Sequence, residues 1–200
     1  MIDKKIEDVY FKGVCEFIKE RQDWYSTRFS YASCELWLCV EACSILNFDH
    51  SILALTKDQD NMFCYNEDDK RDLTIYKSDT EKQVAHIEAK LLYSGYSYLR
   101  SRQKIDEVFD KFNKTIDNEK NTNALKSGWI FMIWSSTKKG RYKNPDDFFN
   151  DSLRNIKESI EERHEFFVLD ESKMMNVIDK EFDWRDDYKR IIVKAVYVSK

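Results

Sequence analysis

Arg71-Asp72-Leu73-Thr74-Ile75-Tyr76, a polar turn region from Lys77 to Lys82, and Gln83-Val84-Ala85-His86-Ile87-Glu88-Ala89-Lys90-Leu91-Leu92 form two alternating runs either side of a break. Period-two alternation around a polar turn predicts a β-hairpin. Centring the turn on Thr80 pairs Lys77 with Gln83 and sets Asp72 opposite Glu88. Because side chains alternate along a strand, Asp72 and Thr74 share a face with His86, Glu88 and Lys90, while Leu73, Ile75, Ile87, Ala89 and Leu91 point the other way. One face is apolar; the other carries reactive groups.

Working outward, Ile2 to Glu20 places Ile6, Val9, Tyr10, Val14, Phe17 and Ile18 at helical spacing, and Tyr31 to Leu46 repeats the period with Leu36, Cys39, Val40, Cys43 and Leu46. Short apolar runs at Ile52–Leu55 and Met62–Tyr65 are candidate strands. After the hairpin, Tyr96 to Ile116 reads as a long helix, and the unbroken apolar run Gly128 to Trp134 suits a central strand covered on both faces. Asn144-Pro145 marks a helix start running to about His164, and Arg190 to Val198 reads as a last strand. Asp170 to Lys189 has no clear pattern. Hairpins pair antiparallel and strand–helix–strand crossovers join parallel neighbours, so the expected fold is α/β, a mixed sheet flanked by helices.

Composition narrows the function classes. At 200 residues the chain fits one domain. With 42% apolar and 35% charged residues it reads as globular, neither disordered nor membrane-spanning. Thirty-three basic against 37 acidic residues give a net charge of −4, which excludes polyanion binding by bulk electrostatics; contact with nucleic acid has to be local or metal-assisted. The four glycines are too dispersed for a dinucleotide or P-loop phosphate cradle. Five cysteines without a C-x-x-C and three isolated histidines lack zinc-site spacing. An odd cysteine count and no secretory leader point to a reducing compartment, the cytoplasm.

The chemistry expected of the hairpin follows from its charges. Two carboxylates facing each other across adjacent strands repel unless a positive charge lies between them. With the backbone carbonyl of Ala89 between them, Asp72 and Glu88 form the hard-oxygen site that Mg²⁺ takes, waters and a substrate phosphate completing its shell. Such an ion activates water and neutralises charge on phosphorus-bound oxygens, the need of phosphodiester hydrolysis. Lys90 would hold its ammonium against the same phosphate or orient the attacking water.

Asp72 and Glu88-Ala89-Lys90, with fifteen residues between Asp72 and Glu88 and set on a hairpin, resemble the PD-(D/E)XK nuclease superfamily. The resemblance covers about residues 31–135 and implies a restriction-endonuclease-like core within one nuclease-like domain of residues 1–200, with an N-terminal helix and a C-terminal helix plus strand as additions. It implies that Asp72 and Glu88 bind the metal, Mg²⁺ with Mn²⁺ able to substitute, and that Lys90 is the catalytic lysine. A further glutamate from the preceding helix is either Glu35 or Glu41, with Glu35 preferred because Glu41 follows Val40 near the packed stripe. Arg71 stands where the family has proline. The implied activity is hydrolysis of DNA phosphodiester bonds, with DNA as partner and a homodimer left open. E-x-K recurs at Glu171-Ser172-Lys173 and D-x-K at Asp68-Asp69-Lys70, so the strand setting, not the tripeptide, distinguishes Glu88.

Two competing readings accompany this one. The hairpin could be ordinary, with Glu88 and Lys90 on a solvated face. Alternatively, the chain is a catalytically silent nucleic-acid- or protein-binding domain of a defence or restriction system. Secondary signals are the basic stretch Lys138 to Lys143, equally readable as phosphate contacts or as a solvated loop, and the helical trio Arg100, Gln103 and Lys104, which reads more readily as a solvated helix face than as phosphate contacts.

Overall fold

In the computed structural model, residues 5–30, 35–48, 62–66, 72–77, 80, 82–114, 124–136, 142–163, 168–184 and 187–199 are described. Three helices come first: α1 (Lys5–Glu20), α2 (Gln22–Ser30) and α3 (Glu35–Phe48). Strands β1 (Met62–Asn66), β2 (Leu73–Lys77) and β3 (Lys82–Tyr93) follow, then α4 (Tyr98–Lys114), β4 (Leu125–Ser135) and α5 (Pro145–Glu162). The chain ends with β5 (Val168–Leu169), a 3₁₀ turn (Glu171–Lys173), β6 (Met175–Trp184) and β7 (Asp187–Ser199). The expected strand at Ile52–Leu55 lies outside the described residues, as does most of the basic stretch Lys138–Lys143.

Seven strands form one mixed sheet in the order β1-β2-β3-β4-β7-β5, with β6 also pairing β7. β3 and β4 run parallel, joined by the α4 crossover, and the remaining pairs are antiparallel. The fold is α/β, as the order of elements implies. One connection departs from expectation. A strand–helix–strand reading makes β4 and the last strand parallel, yet they pair antiparallel, because β6, unread within the polar stretch 170–189, reverses the chain before β7.

Alternate residues of the same strands feed two separate cores, which puts helices on both faces. Leu73, Ile75, Ile87, Ala89, Leu91, Trp129 and Phe131 pack with Phe11, Val14 and Ile18 of α1, Tyr25 and Phe29 of α2 and Leu38 of α3. Leu92, Ile130, Met132, Val196 and Val198 pack with Ile105, Val108 and Phe109 of α4 and Phe148, Phe149 and Ile156 of α5. β4 is buried along Ser127–Ser135, the signature of a central strand. At the start of α5, Asn144 accepts a hydrogen bond from the Asp146 N–H at 3.0 Å and Pro145 occupies the first turn, so an orphan amide is satisfied where proline has none to lose.

The hairpin register is the feature that positions chemistry. Leu73 faces Ile87, Thr74 faces His86 and Ile75 faces Ala85, the expected pairs. Nearer the turn Tyr76 faces Gln83 and Lys77 faces Lys82, not the expected Lys77 opposite Gln83. A bulge that leaves Val84 unopposed absorbs the one-residue difference. Extending the Leu73–Ile87 pair by one residue sets Asp72 across from Glu88.

Candidate functional site

Glu88 and Lys90 project from β3 towards α4, on the same face as Leu92, and are 3% and 4% exposed. That burial removes the solvated-face reading of the hairpin, because charged side chains are almost never buried unless they are paired. Their partners come from three other elements. Asp72, just before β2, accepts a hydrogen bond from the Ala89 N–H at 2.8 Å, so the β3 backbone orients its carboxylate. Glu35, at the start of α3, accepts a hydrogen bond from the Lys90 ammonium, which also lies 3.9 Å from Asp72.

From α4, Lys111 donates to both acids: its Nζ lies 3.2 Å from Asp72 Oδ1 and 2.5 Å from Glu88 Oε2. Lys104, two helical turns earlier on α4, lies 4.0 Å from Glu35 and hydrogen-bonds Glu107 at 3.1 Å. Three carboxylates, Glu35, Asp72 and Glu88, thus meet three ammonium groups, Lys90, Lys104 and Lys111.

The structure therefore brings Asp72, Glu88, Lys90 and Glu35 together. Glu41 lies elsewhere, accepting a hydrogen bond from Tyr25 at 2.5 Å, an arrangement that together with burial pushes the Tyr25 phenol well above its ordinary pKa. The contact of Ala89 with Asp72 is through its amide. His86 is buried on the Glu88 face opposite Thr74. Arg100 lies with its guanidinium 4.3 Å over the Tyr96 ring.

The residue that sequence reasoning missed is Lys111. Its sequence signal is the seven-residue spacing from Lys104, which places both on one helix face; which strand residues that face meets depends on how α4 packs on the sheet.

Electrostatics show how strongly the site wants positive charge. Burial, and then the neighbouring Asp72 charge, raise the Glu88 carboxyl from 4.5 to about 8, against the opposing pull of Lys111 and Lys90. Burial works against the Lys111 ammonium, but its hydrogen bond to Glu88 and the charges of Glu88 and Asp72 outweigh that and raise its pKa. Two ammonium groups beside Glu88 do not fully offset its desolvation.

Does this donor set fit Mg²⁺? Among the described residues no group of three or more His, Cys, Asp or Glu side chains forms a ready-made metal cage. Mg²⁺ seldom uses one; it is ordinarily held by one or two carboxylates with waters and substrate phosphate. Asp72 and Glu88 supply those two carboxylates, and a single cation already bridges them in the form of the Lys111 ammonium. The residues fit the ion.

Comparison with protein-family models, with curated proteins and with solved structures returned no match to this chain. The likeness to the PD-(D/E)XK superfamily accordingly rests on the motif residues and their hairpin setting. No helix among the described residues is long and apolar enough to cross a membrane.

Proposed function

We propose that this chain is a metal-dependent nuclease that hydrolyses DNA phosphodiester bonds. The observation that carries the reading is that Asp72, just before β2, and Glu88, on the neighbouring antiparallel β3, share one cation beside the buried Lys90 ammonium. Asp72 and Glu88 would hold Mg²⁺ or Mn²⁺, with the Ala89 carbonyl as a further oxygen. When bound, the ion would supply an activated water and charge neutralisation at the phosphate.

The chain's own groups do the rest. The Ala89 N–H fixes the Asp72 carboxylate. Lys90, buried and held by Glu35, presents an ammonium that cannot wander, which suits it to orient a water or to meet a phosphate oxygen. Glu35 is thereby a positioning residue. Lys104 on α4, 4.0 Å from Glu35, offers positive charge beside the site. The described cysteines Cys15, Cys39, Cys43 and Cys64 are all free thiols, which supports a reducing, cytoplasmic setting.

A second reading has its own support. Lys111 already bridges both acids, and with Lys90 and Lys104 it sets three ammonium groups against the three carboxylates, so positive charge is present without a metal, as in a catalytically silent binding domain of a defence or restriction system. Thermal melts in Mg²⁺ or Mn²⁺ separate the two. A nuclease gains melting temperature with millimolar metal and loses that gain in Asp72→Ala; a silent domain shows no gain in either protein. Supercoiled, linear and single-stranded DNA incubated with Mn²⁺ should be cut by the wild type and spared by Lys90→Ala. Equal cutting by both proteins would mean a contaminant.

A further inference from the structure

We propose that Lys111 is the resident counter-ion of the metal site: its ammonium occupies the cation position between Asp72 and Glu88, and a divalent ion loads by displacing it. This rests on the metal-dependent reading above and goes beyond it by naming what sets the loading concentration. The geometry is direct. One Nζ donates to Asp72 Oδ1 at 3.2 Å and to Glu88 Oε2 at 2.5 Å, using one oxygen from each acid that an ion would use.

The side chains differ in freedom in the way displacement requires. Glu88 is 4% exposed and fixed on a central strand, Asp72 is tied by the Ala89 amide, and Lys111 is 36% exposed at the end of a flexible four-carbon stem. The acids stay in place while the lysine can leave. Once released, the ammonium returns to water at low cost, whereas Lys90, 5% exposed and paired with Glu35, has no such exit. The two lysines that meet Asp72 therefore have different roles: Lys90 is a permanent part of the site and Lys111 a removable one.

Competition of this kind costs metal affinity. A monovalent ammonium must be expelled for each divalent ion bound, so wild-type protein needs more metal than a variant whose acids face each other unneutralised. Removing the competitor should lower the half-loading concentration about tenfold, the equivalent of one modest, partly buried ion pair.

The test is a titration of wild type, Lys111→Gln and Lys111→Met with Mg²⁺ and with Mn²⁺, read by thermal melting and by calorimetry, without any substrate. The expected result is a half-loading concentration about tenfold lower in both variants, with metal-free variants melting below the wild type. Equal half-loading in wild type and variants overturns the counter-ion role while leaving the metal site standing. Metal binding seen only in the variants supports displacement at its extreme and removes the catalytic reading of the wild type. No binding in any of the three overturns both.

Should both substitutions prevent folding, wild-type protein is labelled with acetic anhydride with and without metal and read by peptide mass spectrometry. Displacement predicts that labelling of Lys111 rises with metal while that of Lys90 does not. Labelling of Lys111 that is indifferent to metal overturns the proposal.

Discussion

Lys90 and Glu35 are an unequal pair, and a double-mutant cycle should expose the inequality. The Lys90 side chain is 5% exposed and that of Glu35 31%, so water can replace lysine as the partner of the carboxylate but cannot replace the carboxylate as the partner of the ammonium. Stripping one member from a buried pair costs about 3–5 kcal/mol. Here Lys90 keeps Asp72 at 3.9 Å and Glu35 is partly solvated, so Glu35→Gln should cost about 2 kcal/mol. Lys90→Met puts an apolar side chain of similar length in the buried slot and leaves Glu35 to water, for about 1 kcal/mol. In the double variant no buried ammonium is left without its partner, so it should unfold close to Lys90→Met and be more stable than Glu35→Gln alone. Urea denaturation of the four proteins at pH 7, with slopes that agree, measures this directly. If the double variant instead loses the sum of the two single effects to within about 0.5 kcal/mol, Lys90 and Glu35 do not depend on each other and the positioning role of Glu35 falls.

Glu88 predicts a pH dependence whose sign is fixed by its upward shift. A carboxyl raised from 4.5 to about 8 on folding holds a proton that the unfolded chain has released, so stability falls as pH rises across that window. With Asp72, Lys90 and Lys111 as the charges facing it, metal-free wild type should lose stability relative to Glu88→Gln between pH 5 and 8, by up to about 1.4 kcal/mol per pH unit. Parallel urea midpoints across the range would show that Glu88 is not held protonated. Ile130, fully buried between α4 and α5, should cost about 3 kcal/mol as Ile130→Ala and lower the melting temperature by about 10 °C; a loss under 1 kcal/mol would mean the second core is not packed as described. Asn144→Ala removes the cap of α5 and should cost about 1 kcal/mol in denaturant, with Asn144→Asp retaining most of it.

The strongest sequence signals were those in which one local pattern fixes one geometry. Asn144-Pro145 opens α5 because capping needs only neighbouring residues, and the helix runs to Glu162, close to the expected end. The run Gly128–Trp134 is the centre of the sheet because nothing else buries seven consecutive side chains so economically. Two elements were illegible for opposite reasons. α2 is short and barely amphipathic, its core contribution limited to Tyr25 and Phe29 one turn apart with a buried Ser26, and so no apolar stripe announces it. β6 carries Asp179, Lys180, Glu181 and Asp183 among its apolar residues; it is stabilised by pairing from end to end with the Asp187–Ala195 part of β7, a partner that lies later in the chain. The hairpin tip shows a third case. The bulge at Val84 shifts the register near the turn but not at Asp72, so a turn placed one residue off still set the correct residues opposite each other at the end where the charges lie.

Lys111 escaped for a deeper reason, and it bears on what the cluster can do. Spacing within one strand pair shows which acids face each other, but the charge that answers them arrives from a helix whose position depends on the α4 crossover and on Ile105, Val108 and Phe109 packing onto the sheet. Those apolar contacts place the helix; the lysine is carried with it. Glu88 and Lys90 form a buried floor, and Asp72, Glu35 and Lys111 a partly exposed rim. The Lys111 side chain lies across the two acids on that rim. On the displacement proposal, moving that one side chain frees one oxygen of each acid and needs no shift of a strand or helix. The silent and the catalytic readings thus share the same backbone and differ in whether a single ammonium is held permanently or exchanged for a divalent ion.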